Sequence, residues 1–160
     1  INSKDRKSFE RKLSRTIHEI VQLNESAVVL AINISSTELQ KKFLTKFQNE
    51  LRGADEMWIF SENTDSHFFL VLQPYTIEEG ANEFLTRTEI SKLPLVESFY
   101  HGLDRKVATY CNGDVNTNMW VLNKEKKKKK TLLEIFKFCN KGLIDNKGRV
   151  DNYASNSNIV

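Results

Sequence analysis

The stretch SAVVLAINI, from Ser26 to Ile34, is an almost unbroken run of apolar and largely β-branched residues. An apolar run of this length is typical of a strand that is buried on both faces of a sheet. Such a strand needs other strands beside it and helices on both of its faces. The stretch therefore predicts a central sheet that is flanked by helices, and the neighbouring segments are expected to supply them.

Amphipathic patterns on both sides of this strand predict the helices. Apolar residues recur at three- and four-residue steps, and two segments begin with a Ser or Thr followed three residues later by a Glu, which is the pattern of a capping box. The predicted helices cover Asp5–Leu23, the segment after the Ser35–Glu38 box, the segment after the Thr76–Glu79 box, and Thr131–Leu143.

Short β-rich runs predict the remaining strands. The first two of them are separated by a polar stretch and are expected to form a hairpin. The predicted strands are Met57–Phe60, Phe68–Leu72, Arg105–Cys111, Met119–Leu122 and Arg149–Tyr153. The order of helices and strands predicts one α+β domain over residues 1–154, followed by a flexible tail over residues 155–160.

Composition is that of an ordinary globular domain: 160 residues, 39% hydrophobic and 28% charged, with a net charge of +3. Cys111 and Cys139 lack metal-like spacing with the three histidines, which favours two reduced thiols and no zinc site. The basic run Lys126–Lys130 has no interleaved aromatic residues, so we interpret it as solvated loop or helix start rather than as a nucleic-acid patch.

The sequence gives two indications of where in the cell the protein is located. The chain has no apolar run long enough to span a bilayer and no signal peptide, and we expect a cytoplasmic domain. It begins at Ile1 rather than at Met, so we expect it to be cut from a longer protein, for which a membrane anchor is one option.

Four stretches resemble the GGDEF domain of diguanylate cyclases, in the same order and over nearly the whole chain. The family's helix start NRRxFxxxL is similar to DRKSFERKL, and its metal-binding strand is similar to VVLAINIS. Its signature hairpin and the approach to it are similar to LRGAD through HFFLVLQP, and its C-terminal elements are similar to TLLEIFKF and NKGRVDNY. The resemblance implies a palm-like central sheet, antiparallel or mixed, flanked by helices.

The resemblance also implies that the catalytic site is lost. A cyclase needs divalent metal ions held by carboxylates, but Asn33 stands where the family has its first metal-binding aspartate. The segment between Asn33 and Arg52 is too short to carry the family's guanine-binding Asn and Asp. The hairpin signature has become Asp65–Phe69, or begins one residue earlier if the hairpin has a different register, and it contains no glycines. Asp145 replaces a phosphate-binding Lys, although Arg149 remains. We therefore expect no catalytic residues, no metal and no enzyme activity.

One family motif is intact. Arg52-Gly53-Ala54-Asp55 is an RxxD sequence just before the hairpin, where the family has its product-inhibition site, and Arg87 falls where the family has a second product-binding arginine. An arginine can donate to guanine N7 and O6 or to a phosphate, and a carboxylate can accept from the guanine N–H groups. The resemblance therefore implies a cyclic di-GMP site formed by Arg52, Asp55 and Arg87, without any other cofactor.

A structural alternative exists for the same residues. Arg52 and Asp55 are three positions apart and can form a surface salt bridge that contributes only a few tenths of a kcal/mol. Under either hypothesis these residues are expected to lie on a turn and a helix surface. Their substitution is therefore expected to leave the melting temperature nearly unchanged.

Three functional hypotheses follow. The first is a receptor similar to the PelD-like cyclic di-GMP receptors, a resemblance that implies regulation of exopolysaccharide synthesis at a bacterial membrane. Its partners would be cyclic di-GMP and a membrane exopolysaccharide synthase complex, not nucleic acid, and the domain is a candidate homodimer. The second is a ligand-free structural or dimerising pseudo-enzyme. The third, a weak enzyme with altered nucleotide chemistry, is disfavoured by Asn33.

Overall fold

The computed structural model describes residues 3–60, 67–102, 104–124, 133–135 and 137. Three long helices and six strands are found in this part of the chain, together with two short 3-10 helices at Ile90–Lys92 and Cys111–Gly113. In chain order the helices and strands are α1 Ser3–Leu23, β1 Ser26–Ile34, α2 Thr37–Glu50, β2 Glu56–Phe60, β3 His67–Pro74, α3 Glu78–Arg87, β4 Leu95–Tyr100, β5 Arg105–Tyr110 and β6 Val115–Asn123.

The six strands form one sheet in the order β2-β3-β1-β6-β5-β4, and every described pair is antiparallel. Strand β1 pairs along its length with β3 on one side and with β6 on the other. Nearly all of its residues are buried, as its apolar run predicts. The predicted α+β fold with a central sheet and flanking helices is confirmed.

Alternation along β1 divides the core into two layers. Ala27, Val29 and Ala31 face α1, and Val28, Leu30 and Ile32 face α2 and α3. The second layer contains a cluster of four aromatic rings centred on Phe47, which stacks on two of them and meets the third edge-on: Phe43, Phe84 and Phe69. These contacts hold both helices of this layer against β3, and so fix the positions of the loops at their ends.

Both predicted capping boxes are wrong. The N-cap of α2 is Ser36, whose Oγ accepts from the backbone N–H of Leu39 at 3.3 Å, while Ser35 bonds instead to Asp114, just before the start of β6. The N-cap of α3 is Ile77, without a side-chain cap. Its neighbour Thr76 still extends the pairing between β3 and β1, because its N–H donates to the carbonyl of Ser26, the first residue of β1.

Gly80 in the first turn of α3 is required by a close approach. A Cβ atom at this position would lie 1.9 Å from Oγ1 of Thr76. The threonine that was predicted to cap the helix therefore packs against it, and only a residue without a side chain fits opposite.

The strands beyond α3 were predicted incompletely. Strand β4 was missed, and β6 begins at Val115 rather than at Met119. The start of β6 consists largely of polar residues and therefore lacks the apolar pattern that predicts a strand. In the structure Thr117 and Asn118 are buried and hydrogen-bonded to the β5 residues Ala108 and Arg105. β5 ends one residue earlier than predicted, at Tyr110.

The C-terminal predictions lie largely outside the described residues. Residues 133–135 and 137 are helical, within the predicted helix Thr131–Leu143. The predicted strand Arg149–Tyr153, the tail 155–160, Lys126–Lys130 and Cys139 fall outside the described part. No helix within the described ranges is both long and apolar enough to cross a membrane.

The aromatic cluster generates a stability prediction. Phe47→Ala should lower the free energy of unfolding by about 3–5 kcal/mol, because it leaves a cavity between α2, α3 and β3. Urea denaturation followed by circular dichroism measures the change. The exposed Leu23→Ala on α1 is the control and should change it by less than about 0.5 kcal/mol. A loss below about 1 kcal/mol in Phe47→Ala would contradict this account of the core.

Candidate functional site

The loop from α2 to β2 contains the RxxD sequence and folds as a tight turn. The backbone N–H of Asp55 donates to the Arg52 carbonyl at 3.0 Å. In the opposite direction, the backbone N–H of Arg52 donates to Oδ2 of Asp55 at 2.8 Å. The turn is thus closed by two reciprocal hydrogen bonds, which place both side chains at the start of β2.

The two side chains of this turn form a forked ion pair. Nη2 of Arg52 lies 2.7 Å from Oδ1 of Asp55, and Nε lies 3.0 Å from the same oxygen. Nη2 also donates to the Pro74 carbonyl at the end of β3, at 2.7 Å. The side chain of Asp55 is fully buried, whereas that of Arg52 is 40% exposed. The guanidinium therefore covers the carboxylate and is itself open to solvent.

This geometry corrects the expectation for stability. The i,i+3 salt bridge of the structural alternative does form, but Asp55 is buried and is not a surface turn residue. A buried carboxylate without its partners carries a large desolvation penalty. Substitution of Asp55 is therefore expected to lower stability, contrary to the sequence-based expectation.

Gln73 contacts the Asp55 carboxylate of this ion pair. It is the residue before Pro74 in β3, it is 1% exposed, and its Nε2 donates to Oδ2 of Asp55 at 3.4 Å. Sequence reasoning missed this residue, although a single amide in the apolar strand HFFLVLQP was a visible signal. The carboxylate of Asp55 thus has a charged partner in Arg52 and an amide partner in Gln73.

Arg87 ends α3 and contacts the last residue of α2. Its Nε lies 3.0 Å from Oε2 of Glu50, and its Nη2 lies 3.3 Å from the Glu50 carbonyl. Both side chains of this ion pair are more than one third exposed. Glu50 is two residues before Arg52, and two residues of extended chain span about 7 Å. The fold therefore brings the end of α3 to the segment that carries the RxxD turn.

The end of β1 that lies away from the RxxD turn contains Asn33, which is expected to stand in place of a metal-binding aspartate. Asn33 is half-buried and is paired across the sheet with Phe68 and Asn116, both uncharged. Within the described residues, no group of three or more His, Cys, Asp or Glu side chains is arranged to hold a metal ion. The hairpin tip with Asp65 lies outside the described residues.

The two tryptophans, Trp58 and Trp120, make structural contacts. Trp58 is buried against Phe9 and donates through Nε1 to Oγ of Ser8. Trp120 is buried beneath the Arg105 guanidinium, which lies 5.1 Å from its ring centre. Both rings belong to the core layer that packs against α1.

A cavity of ≈330 Å³ lies between α3 and the strands β4 to β6. It is lined by residues other than the three predicted site residues, among them Thr86, Ser98, Lys106 and Tyr110. Burial raises the pKa of the Tyr110 phenol, which therefore stays protonated and can act as a donor in this cavity. The cavity is separate from the RxxD turn, and its lining gives no charge pattern that selects a ligand class.

Comparison with known proteins supplies two kinds of similarity. The profile of the PelD GGDEF domain family matches residues 7–101. The fold is similar to that of PelD residues 156–455 from Pseudomonas aeruginosa PA14, in the apo form (17% identity, TM-score 0.61) and in complex with c-di-GMP (16% identity, TM-score 0.61). It is also similar to diguanylate cyclase SiaD from Pseudomonas aeruginosa, solved with its activator SiaC (15% identity, TM-score 0.50).

The chain spans about half the length of these relatives. Each PelD structure aligns with 86% of this chain, and the aligned part is 47% of the PelD chain. SiaD aligns with 96% of this chain, and the aligned part is 54% of the SiaD chain. At such identities the structures show a shared fold. No curated protein sequence matches the chain.

The buried carboxylate generates the second prediction. Asp55→Ala should lower the free energy of unfolding by about 1–3 kcal/mol, because it leaves the Arg52 backbone N–H and the Gln73 amide without their acceptor. Arg87→Ala is the comparison and should cost less than about 1 kcal/mol, because its ion pair is exposed. Urea denaturation of both variants tests the order, and equal stability of Asp55→Ala and the wild type would contradict it.

Proposed function

The chain belongs to the PelD GGDEF domain family, and on this premise we propose that it is a catalytically inactive receptor that binds cyclic di-GMP at Arg52, Asp55 and Arg87. The observation that carries the proposal is the RxxD turn, with an exposed guanidinium lying over a buried carboxylate. The second arginine, Arg87, is held next to the same segment by Glu50. The corner holds two arginines, each paired with a carboxylate, and a ligand with phosphates and N–H donors could replace these partners: its phosphates could replace Glu50 at Arg87, and its donors could replace Arg52 at Asp55.

Guanine nucleotides have the chemistry that these three side chains can recognise. Arginine forms paired hydrogen bonds with N7 and O6 of guanine and also binds phosphate. A carboxylate accepts from the N1–H and N2–H groups on the opposite edge of the base, a donor set that adenine lacks. A dinucleotide with two guanines and two phosphates can engage both arginines and Asp55 at once.

Binding requires a rearrangement at the turn. Asp55 has no exposed side-chain surface, so a guanine base reaches its carboxylate only after the guanidinium of Arg52 has turned away. Arg52 is free to turn toward solvent because it is 40% exposed. In the bound state the guanine N–H groups would replace the guanidinium as donors to Asp55, and Arg52 would bind the ligand instead.

Loss of catalysis is supported by the residues at the other end of the sheet. Asn33 cannot offer a carboxylate to a metal ion, and the chain between β1 and the RxxD turn consists of α2 and two short connections. A segment for binding a substrate guanine would have to come from elsewhere. We propose that these changes leave the fold without nucleotidyl transfer activity.

We also propose a role for the longer protein from which this domain would come. The domain would act on the cytoplasmic side of a membrane-anchored parent, and its ligand-bound state would regulate a membrane exopolysaccharide synthase complex and thereby biofilm formation. The support for this is membership of the PelD GGDEF domain family.

A dimerising pseudo-enzyme without ligand is the second candidate. It is favoured by β4, an edge strand whose side chains Leu95, Val96, Phe99 and Tyr100 are all more than 40% exposed. Exposed apolar edge strands are sites where chains associate. The two candidates differ in whether the domain binds cyclic di-GMP.

Binding is tested by titration calorimetry with cyclic di-GMP. Arg52→Ala should weaken binding by roughly ten- to a hundredfold, about 1.5–3 kcal/mol, because a charge-assisted contact is lost. Arg87→Ala should weaken it less and reduce the number of dinucleotides bound per chain. Asp55→Asn keeps the shape of the side chain and should also weaken binding, because an amide provides one acceptor in place of two.

Arg15→Ala is the matched control. It removes the same charge from an exposed position on α1, which packs on the other face of the sheet, and should bind as the wild type does. Cyclic di-AMP should bind far more weakly than cyclic di-GMP. Absence of heat with the wild type, or unchanged affinity in Arg52→Ala, would overturn the receptor proposal.

Catalysis is tested separately. With GTP and Mg²⁺ or Mn²⁺ the domain should form no cyclic di-GMP, because Asn33 replaces a metal-binding carboxylate. Chromatography of the reaction products measures this against an active cyclase. Product that accumulates with time and disappears in Asn33→Ala would show that the domain is an enzyme.

A further inference from the structure

Gln73 has an unpaired acceptor in the core. The residue is 1% exposed, and its Oε1 has no hydrogen-bond donor among the residues that the structure describes. Its own Nε2 donates to Oδ2 of Asp55. The amide oxygen is bonded to the same carbon as that nitrogen, so the unpaired acceptor lies beside the carboxylate of the RxxD turn.

The orientation of this amide follows from its neighbour. A glutamine amide can be rotated so that oxygen and nitrogen exchange places. In the rotated form the oxygen would face the Asp55 carboxylate, and two acceptors without a proton between them repel each other. The nitrogen therefore faces Asp55, and the oxygen is the atom left without a donor.

An unpaired buried acceptor is costly and rare. Leaving a buried polar atom without a partner costs about 1–3 kcal/mol, and most buried polar side-chain atoms have one. A methionine or leucine would fill the same place in β3 at no such cost. Local departures from good packing of this kind are concentrated at functional sites, where a ligand completes the missing contact.

We propose that Gln73 is a fourth residue of the dinucleotide site and determines its selectivity for the guanine amino group. The inference rests on the proposed cyclic di-GMP site. When Arg52 turns away, the Asp55 carboxylate is uncovered, and the Gln73 amide is the side-chain group that remains bonded to it. The two residues then offer adjacent acceptors to one base edge.

Guanine provides the matching donors. Its N1–H and one N2–H can donate to the two carboxylate oxygens of Asp55, and the second N2–H is left over. Oε1 of Gln73 is the acceptor for that remaining hydrogen. The ligand thus removes the unpaired acceptor from the core, and a base without the amino group at C2 would not.

The test compares two ligands and two proteins. Cyclic di-IMP is identical to cyclic di-GMP except that its hypoxanthine bases lack the amino group at C2. The wild type should bind cyclic di-GMP about tenfold more tightly than cyclic di-IMP, since a buried acceptor is left unpaired with the second ligand. In Gln73→Met this preference should shrink by about threefold or more, and cyclic di-GMP should bind more weakly. Calorimetry measures all four affinities.

Thermal unfolding gives a second, independent readout. Gln73→Met removes the unpaired acceptor together with the 3.4 Å bond from Nε2 to Oδ2 of Asp55, so its melting temperature should fall less than that of the control while affinity for cyclic di-GMP falls. Gln40→Met is the matched control, because Gln40 is a buried glutamine whose Nε2 donates to the Ile34 carbonyl at 2.9 Å. That variant should melt at a lower temperature and keep the wild-type preference for cyclic di-GMP.

The failures of the two proposals are distinguishable. Equal binding of the two ligands by the wild type overturns the role of Gln73 and leaves the receptor proposal intact, and this measurement needs no variant. An undiminished preference in Gln73→Met, or in Gln73→Leu should the methionine variant not fold, also overturns it. If the wild type gives no heat with cyclic di-GMP, the receptor proposal fails and the inference fails with it.

Discussion

Strand β1 is the constraint on which the structure depends, because it has a strand on each side and a helical layer on each face. Its backbone groups are satisfied by β3 and β6, and its side chains separate the two layers of the core. The same strand defines the two ends of the sheet. At one end lie Ile34 and Asp114, near Asn33, and at the other lie Ser26 and Pro74, beside the RxxD turn.

This separation would allow the proposed loss of catalysis to occur without affecting the proposed ligand site. Asn33 is at the end of β1 away from the turn that holds Arg52 and Asp55. The RxxD pair is also part of the fold, because Asp55 is buried and holds the turn closed. Its presence would therefore be expected with or without a ligand. The unpaired oxygen of Gln73 supports the receptor proposal, since that oxygen adds no hydrogen bond to a purely structural turn.

Local patterns predicted those parts of the fold that are set by burial. The run at Ser26–Ile34 and the spacing of Phe43 and Phe47 identified β1 and α2 because a strand or helix with a buried face repeats at a fixed period. The missed elements lack this signal. β4 is an edge strand with every residue exposed, and the start of β6 consists of polar residues whose partners lie on β5. The capping residues were displaced because Ser35 and Thr76 bond to distant segments, a contact that spacing cannot reveal. The same limit applies to Gln73 and Glu50, which meet the site only through the tertiary fold.

The two ion pairs at the site differ in solvent exposure. This difference determines which pair a ligand can separate at low cost and which it can separate only at high cost. Arg87 and Glu50 are 39% and 36% exposed, and a pair of this kind contributes about 0–1 kcal/mol, so a phosphate can replace Glu50 at low cost. Withdrawal of Arg52 from Asp55 leaves a buried carboxylate without its cation, which costs about 3–5 kcal/mol unless other donors take its place. A phosphate has no donors to offer, whereas a guanine base does. Simple anions would therefore be held weakly at Arg87, and the buried part of the site would open only to a ligand that carries guanine.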